Sequence, residues 1–330
     1  MLCIIAGHMG SSLINGIVFT FHVPIFFILC GLFFKIEKGN LWNNVKKLFK
    51  AYVFTLLFVL ILDVIKQSLR MILSSAFSLD TLTNLCFEYV KSGLFCFDTE
   101  TEIFGISARS VGAIWFYVAL IWAFLFSFII LKESERISKN KAVSIGVSSL
   151  LAVILWLAAY LTTDILQIPL LVQAGAGTVI FIISGYHLKS LYLNKQPIWI
   201  GICSLILWAI AIYFSITGRH MSAARVLYPN PILNFLGAIS ATWLIISFFK
   251  RFTCHIPGKG LELFGKYSMV ALSFHYIEKN LIDWEKLTGR FGGGLLINIL
   301  AFLVKVSWCC LGIFLARKIA PLKWVYSIKE

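Results

Sequence analysis

The sequence predicts an all-α, polytopic membrane bundle of about ten transmembrane helices, in one domain spanning residues 1–330. Apolar residues make up 59% of the chain and charged residues only 13%, against roughly half and a quarter in soluble domains. Mean hydropathy is +0.89. Apolar runs close to the ~20 residues that cross a bilayer recur along the whole chain.

Hydropathy places the spans at about residues 1–10, 14–34, 48–65, 111–131, 142–161, 169–188, 197–217, 232–249, 261–279 and 293–316. The first is too short to cross a hydrocarbon core, so the chain is expected to lack its true N-terminus. No basic n-region or small-residue cleavage site marks a secretory signal, so targeting falls to the first apolar segments. Alternate connections are basic. Lys35, Lys38, Lys46, Lys47 and Lys50 follow the second segment, and Lys132, Arg136, Lys139 and Lys141 follow the fourth. Eighteen of the 29 basic residues fall on that face and nine on the other, while Lys266 and Lys305 lie within predicted spans. The positive-inside rule assigns the richer face, with both termini, to the cytoplasm. The same rule accounts for the net charge of +14 without nucleic acid, since the basic residues form no separate binding domain.

The 66–110 connection is the longest, and it carries Asp80, Glu88, Asp98, Glu100 and Glu102. Residues 79–93 alternate apolar and polar positions at helical spacing, which predicts a helix lying on the outer surface. Cys86 and Cys96 share this loop, and a disulfide between them is left open. The eight cysteines include no C-x-x-C, so no metal pattern is present. Neither a repeat nor a phosphate-cradling glycine loop nor a G-x-S-x-G elbow is found. Gly175-Ala176-Gly177 reads as close helix packing, and Gly292-Gly293-Gly294 as a turn.

His8 and His22 stand out against this background, because a short turn brings together two titratable rings from apolar segments. An ionisable residue in hydrocarbon is costly and marks a functional site by default, and imidazole handles protons near neutral pH. Hydrogen-bonded packing between helices is the plain alternative. Pro24 is expected to loosen the helix and free a carbonyl near the His22 ring. Asp63 is the acid this reading places inside a span, near one end, so a paired-carboxylate mechanism has no candidates.

Several motifs resemble the acyltransferase-3 family of membrane acyltransferases, close to its fucose 4-O-acetylase-like branch. Cys3-Ile4-Ile5-Ala6-Gly7-His8 resembles the family's apolar run ending in Gly-His, and residues 21–34, FHVPIFFILCGLFF, its Phe-His-x-Pro-hydrophobic-Gly signature. Lys46-Lys47-Leu48-Phe49-Lys50-Ala51-Tyr52 is similar to the start of its third helix, and Trp115-Phe116 to its Trp-Phe-Leu. Phe264-Gly265-Lys266-Tyr267-Ser268 with His275 resembles its late Gly-x-x-Ser…His element. The family pattern carries a charged residue about ten positions ahead of Gly-His, where this chain has not begun.

The resemblance implies transfer of an acyl group, usually acetyl from cytoplasmic acyl-CoA, to a hydroxyl of a glycan or lipid-linked acceptor, without a metal. That implies an integral plasma-membrane protein of a bacterial cell envelope, in contact with membrane lipids. His8 is then the general base, with His22 orienting it or stabilising developing charge. Lys46, Lys47 and Lys50 sit where CoA phosphates arrive, although positive-inside anchoring explains each equally well. Lys305, mid-span, serves either cofactor charge or a structural partner such as Asp63. Trp115 stacks on a sugar or marks the membrane interface. Arg219, His220 and Arg225 meet acceptor or belong to a solvated loop, and His275 binds acceptor near the outer face. His187 and His255 sit at cytoplasmic ends and need no special role. The rival class is a proton-coupled transporter or flippase, against which no duplicated half is visible.

Overall fold

The computed structural model describes residues 1–328 apart from Gly10, Phe104, residues 253–258 and Gly293. His255 and Gly293 therefore lie outside the described residues. Three short helices open the chain: α1 (Leu2–Gly7), α2 (Ser12–Val18) and α3 (Pro24–Leu32). Next come α4 (Lys38–Leu73), α5 (Leu79–Phe95) and a small antiparallel hairpin, β1 (Thr101–Ile103) with β2 (Ile106–Ala108). The middle of the chain forms α6 (Trp115–Ile137), α7 (Lys141–Thr162), α8 (Val172–His187), α9 (Lys189–Leu193), α10 (Ile198–Thr217) and α11 (Pro231–Phe252). The chain closes with α12 (Lys259–Lys266), α13 (Ser268–Leu281), α14 (Trp284–Arg290), α15 (Leu295–Lys318) and α16 (Ala320–Tyr326). The result is an all-α polytopic membrane bundle. Among the described residues, seven helices are long and apolar enough to span a bilayer: α4, α6, α7, α8, α10, α11 and α15.

The other three predicted spans are broken, each for a local reason. Segment 1–10 yields the six residues of α1. Segment 14–34 divides at residues 19–23, because Pro24 lacks an N–H and starts a new helix at its first position. Segment 261–279 divides at Tyr267, separating α12 from α13. Lys266 consequently ends α12 with an exposed side chain 5.5 Å from the Tyr267 ring, outside any span.

Close backbone contact welds the interior. A Cβ at Gly31 of α3 would stand 2.1 Å from the Ile182 carbonyl oxygen, and one at Gly185 of α8 would stand 2.1 Å from that of Ile28. Only glycine permits this approach. Gly175 meets Trp122 and Ala119 of α6, while Gly177 meets Val226, in line with the packing role expected of that stretch. By contrast α7 and α10 turn Leu150, Ile154, Leu157, Ile202, Leu205 and Ile206 outward, the pattern of helices that face lipid.

Rather than lying alone on the surface, α5 runs back antiparallel along α4. Tyr89 donates a hydrogen bond to Asp63, and Tyr52 donates one to the Gly93 carbonyl at 2.7 Å. Cys86 and Cys96 are both free thiols. At the far end of the chain, α16 docks against α4. Lys50 Nζ donates to the Trp324 carbonyl at 2.7 Å and to Ser327 Oγ at 3.1 Å, with the Trp324 ring 4.5 Å away.

Candidate active site

The broken hairpin builds the first part of the site. His22 falls in the turn ahead of α3, where its Nδ1 lies 2.9 Å from the Val18 carbonyl and donates to it. In the neutral ring that tautomer leaves the lone pair on Nε2. Phe19 meets the same ring edge-on at 4.8 Å, and its other neighbour is His220, stacked at 5.6 Å. His220 is thereby tied to the hairpin, with Nδ1 3.1 Å from Ser215 Oγ.

His22 lines a cavity of about 1360 Å³, larger than the roughly 300–1,000 Å³ of ordinary ligand sites. Met1, Leu2 and Cys3 of α1 border it, as do Phe26 and Cys30 of α3, and its polar rim carries Lys35, Asn40, Lys250 and Glu262. Lys35 and Lys250 escaped the sequence reading, because each looked like one more positive-inside residue at a helix end. Lys250 also donates to the carbonyls of Tyr192 and Leu193, at 2.9 and 2.7 Å.

His8 caps α1 five residues beyond Cys3, about 8 Å further along the helix, and its side chain is exposed. Its nearest ring partner is His275, with centroids 5.4 Å apart and planes inclined at 36°. His22, Lys279 and Lys305 lie within electrostatic range of His8. The structure therefore gathers His8, His22 and His275 into one region, although they come from opposite ends of the chain.

His275 is 0% exposed and Glu278, one turn on, is 1% exposed. Asp63 was the acid weighed inside a span, and Glu278, noted one turn beyond His275, was given no role of its own. Its signal was present as His-x-x-Glu in an apolar helix, which sets both side chains on one face. Glu278 Oε1 stands 3.0 Å from His275 Nδ1. The pair is in ion-pair contact but misses hydrogen-bond geometry, leaving both ring nitrogens and Oε1 without a hydrogen bond among the described residues. Glu278 Oε2 accepts from the Trp284 indole N–H, and Lys305, 2% exposed, holds its ammonium 5.0 Å from that indole ring. Lys305 thus belongs with Glu278, while Asp63 is satisfied by Tyr89.

The remaining predicted residues are more dispersed. Lys46 is exposed, and Lys47 lines a smaller cavity of about 190 Å³ together with Met1, Asn44 and Cys30. Lys50 is engaged by the C-terminal helix. Trp115 begins α6 half-buried, edge-on to Phe116 at 6.0 Å. Arg219 is exposed in the loop after α10. His187 accepts a structural role, its Nε2 2.6 Å from Ser148 Oγ.

One imidazole lining a large cavity, with the His8–His275 pair outside its lining, fits proton handling during group transfer, and comparison with known proteins names the transfer. The model of the acyltransferase-3 family, described as an acyltransferase domain, matches residues 1–317. The chain belongs to the acyltransferase-3 family. This integral membrane protein is therefore a membrane acyltransferase, and the family match covers the hairpin, the cavity and the His275–Glu278 pair alike. No curated protein and no solved structure matched it.

Proposed function

We propose that this acyltransferase moves an acetyl group from acyl-CoA to a hydroxyl of a glycan or lipid-linked acceptor in a bacterial cell envelope. The observation that carries the reading is the cavity, which opens among Lys35, Asn40 and Lys250 and runs to His22, with His8 beyond it on the same hairpin. Acyl-CoA enters from the basic face, taken as cytoplasmic with both termini, and its pantetheine arm extends toward His22 along Phe26 and Cys30. Lys35 and Lys250 neutralise phosphate at the rim, and Lys46 and Lys47 add positive field. Acceptor approaches His8 from the opposite face, where Trp115 and Arg219 offer a stacking surface and a charge.

His8 takes the acceptor's O–H proton as the oxygen attacks the thioester carbonyl. The new C–O bond forms, the C–S bond breaks, and the proton ends on the departing sulfur as CoA-SH. His22, its Nδ1–H given to the Val18 carbonyl, turns its Nε2 lone pair to the cavity as an acceptor that orients the reacting groups.

The test is incorporation of label from acetyl-CoA into membrane glycan by wild-type protein and by His8→Ala. A fall of at least ~10²-fold in the variant is expected, the scale of lost general acid–base help. Undiminished incorporation by His8→Ala would overturn the assignment, and flux of a solute without acyl incorporation would overturn the reaction class.

A further inference from the structure

The mechanism above uses His8 and His22 and leaves a buried charged cluster idle. Glu278 and Lys305 are 1% and 2% exposed, and isolated charges at such depth are strongly disfavoured. One indole links them. Trp284 donates its N–H to Glu278 Oε2 and offers its ring face to the Lys305 ammonium at 5.0 Å. With Oε2 pinned, Oε1 is aimed at His275 Nδ1, 3.0 Å away. His275 is wholly buried, its nitrogens form no hydrogen bond among the described residues, and its ring stands 5.4 Å from that of the exposed His8.

We propose that Glu278 and Lys305 are positioning residues that hold His275 behind His8 as the electrostatic support of the general base. The proposal rests on the reading of His8 as that base. A carboxylate oxygen 3.0 Å from Nδ1 favours, by its charge, the proton on that nitrogen and leaves the Nε2 lone pair on the ring's far side. When His8 gains the acceptor's proton, its positive charge appears beside an imidazole backed by an anion. Lys305 keeps that anion ionised and in place. Since His275 is closed to solvent, it acts through His8 and touches no acceptor.

Every charged neighbour enters the sign of the effect. On α13 itself are Glu278 and Lys279, the cap of α1 brings His8, and α15 brings Lys305 and Cys309. On the sides packed against α4 and residues 112–114, Asp63 and Arg109 act on Tyr276. Glu278 alone among the groups acting on His275 favours added positive charge, and Lys279 and Lys305 oppose it. Removing the carboxylate therefore lowers the pH at which the base titrates.

The experiment compares wild type, Glu278→Gln, Glu278→Asp and the doubly neutral E278Q/K305Q in detergent, reading kcat, donor KM and the pH dependence of kcat. Glu278→Gln is expected to lose about 10²-fold in kcat, the scale of withdrawn acid–base support, with donor KM nearly unchanged. Its rising pH limb should move to lower pH, and Glu278→Asp should recover part of both. If Glu278→Gln fails to fold, E278Q/K305Q leaves no lone buried charge, and it is expected to fold yet remain slow. Full kcat in either folded variant overturns the proposal, as does an unmoved pH limb. Wild type that transfers no acyl group from any acyl-CoA removes the reading on which it rests, a result distinct from equal rates in wild type and variant.

Discussion

At His22 the backbone decides the chemistry. Val18's carbonyl takes Nδ1–H, so Nε2 is the nitrogen left to face the cavity. His22→Gln is expected to fold and to lose about 10²-fold in kcat, with a small change in donor KM; steady-state kinetics in detergent check this, and an unaltered kcat would remove His22 from the mechanism. The thiols near the α5 terminus give a second prediction. Cys96 is buried against Tyr52, with its Sγ 3.0 Å from the phenol oxygen and 2.8 Å from the Gly93 carbonyl. Burial pushes its pKa up to about 11, so roughly 10⁻⁴ of it is thiolate at pH 7. Without reductant, maleimide should label Cys86 readily and Cys96 slowly; mass spectrometry showing a Cys86–Cys96 disulfide would contradict this. His8 and His22 stand out in the sequence because an imidazole in an apolar run has few innocent explanations. Lys35 and Lys250 do not, since the anchoring of helix ends hides any other use of a lysine.

At the scale of elements, the contact between α3 and α8 has the least slack. Gly31→Ala sets a methyl group against the Ile182 carbonyl, and overpacking of this kind costs about 1–3 kcal/mol. A lowered unfolding midpoint in detergent is the expected sign, and an unchanged midpoint would mean that the two helices are free to part. The helix α14, which delivers Trp284 to Glu278, starts on an Asp283 cap that accepts the Lys286 N–H at 3.1 Å. That bond, with the Lys286 ammonium, holds the Asp283 carboxyl below its ordinary pKa. A depressed folded-state pKa adds stability that is present above the unfolded value and disappears as pH falls through the folded one. Protection factors of the amides of residues 286–290, referred to the intrinsic exchange rate at each pH, should therefore fall at acid pH, and Asp283→Ala should lower them similarly at neutral pH. Pro24 was visible in the sequence and was read as a loosening, whereas it starts a separate helix. The break at Tyr267 left no such mark, because a hydropathy window averages across a single residue of non-helical backbone.

At the scale of the whole molecule, the alternation of basic connections along the sequence assigns them to one face, and labelling with a membrane-impermeant thiol reagent tests which compartment that face meets. In intact cells Ser107→Cys is expected to react and Lys139→Cys to be protected; the reverse pattern would invert the orientation. Composition made the bundle legible, because only helices or closed barrels satisfy the backbone in lipid. It did not make the seven full-length spans legible, since apolar half-helices inside a bundle have the same hydropathy as halves of a longer one. The glycine contact between α3 and α8 reaches further than packing. With backbone pressed on backbone there is no side chain to compress or rotate, so the two helices form a fixed post. The arm made of α1 and α2 joins that post through residues 19–23 and rests by Gly16 against Ile216 of α10. Any displacement of that arm changes the 5.4 Å between the His8 and His275 rings, while the post itself does not follow.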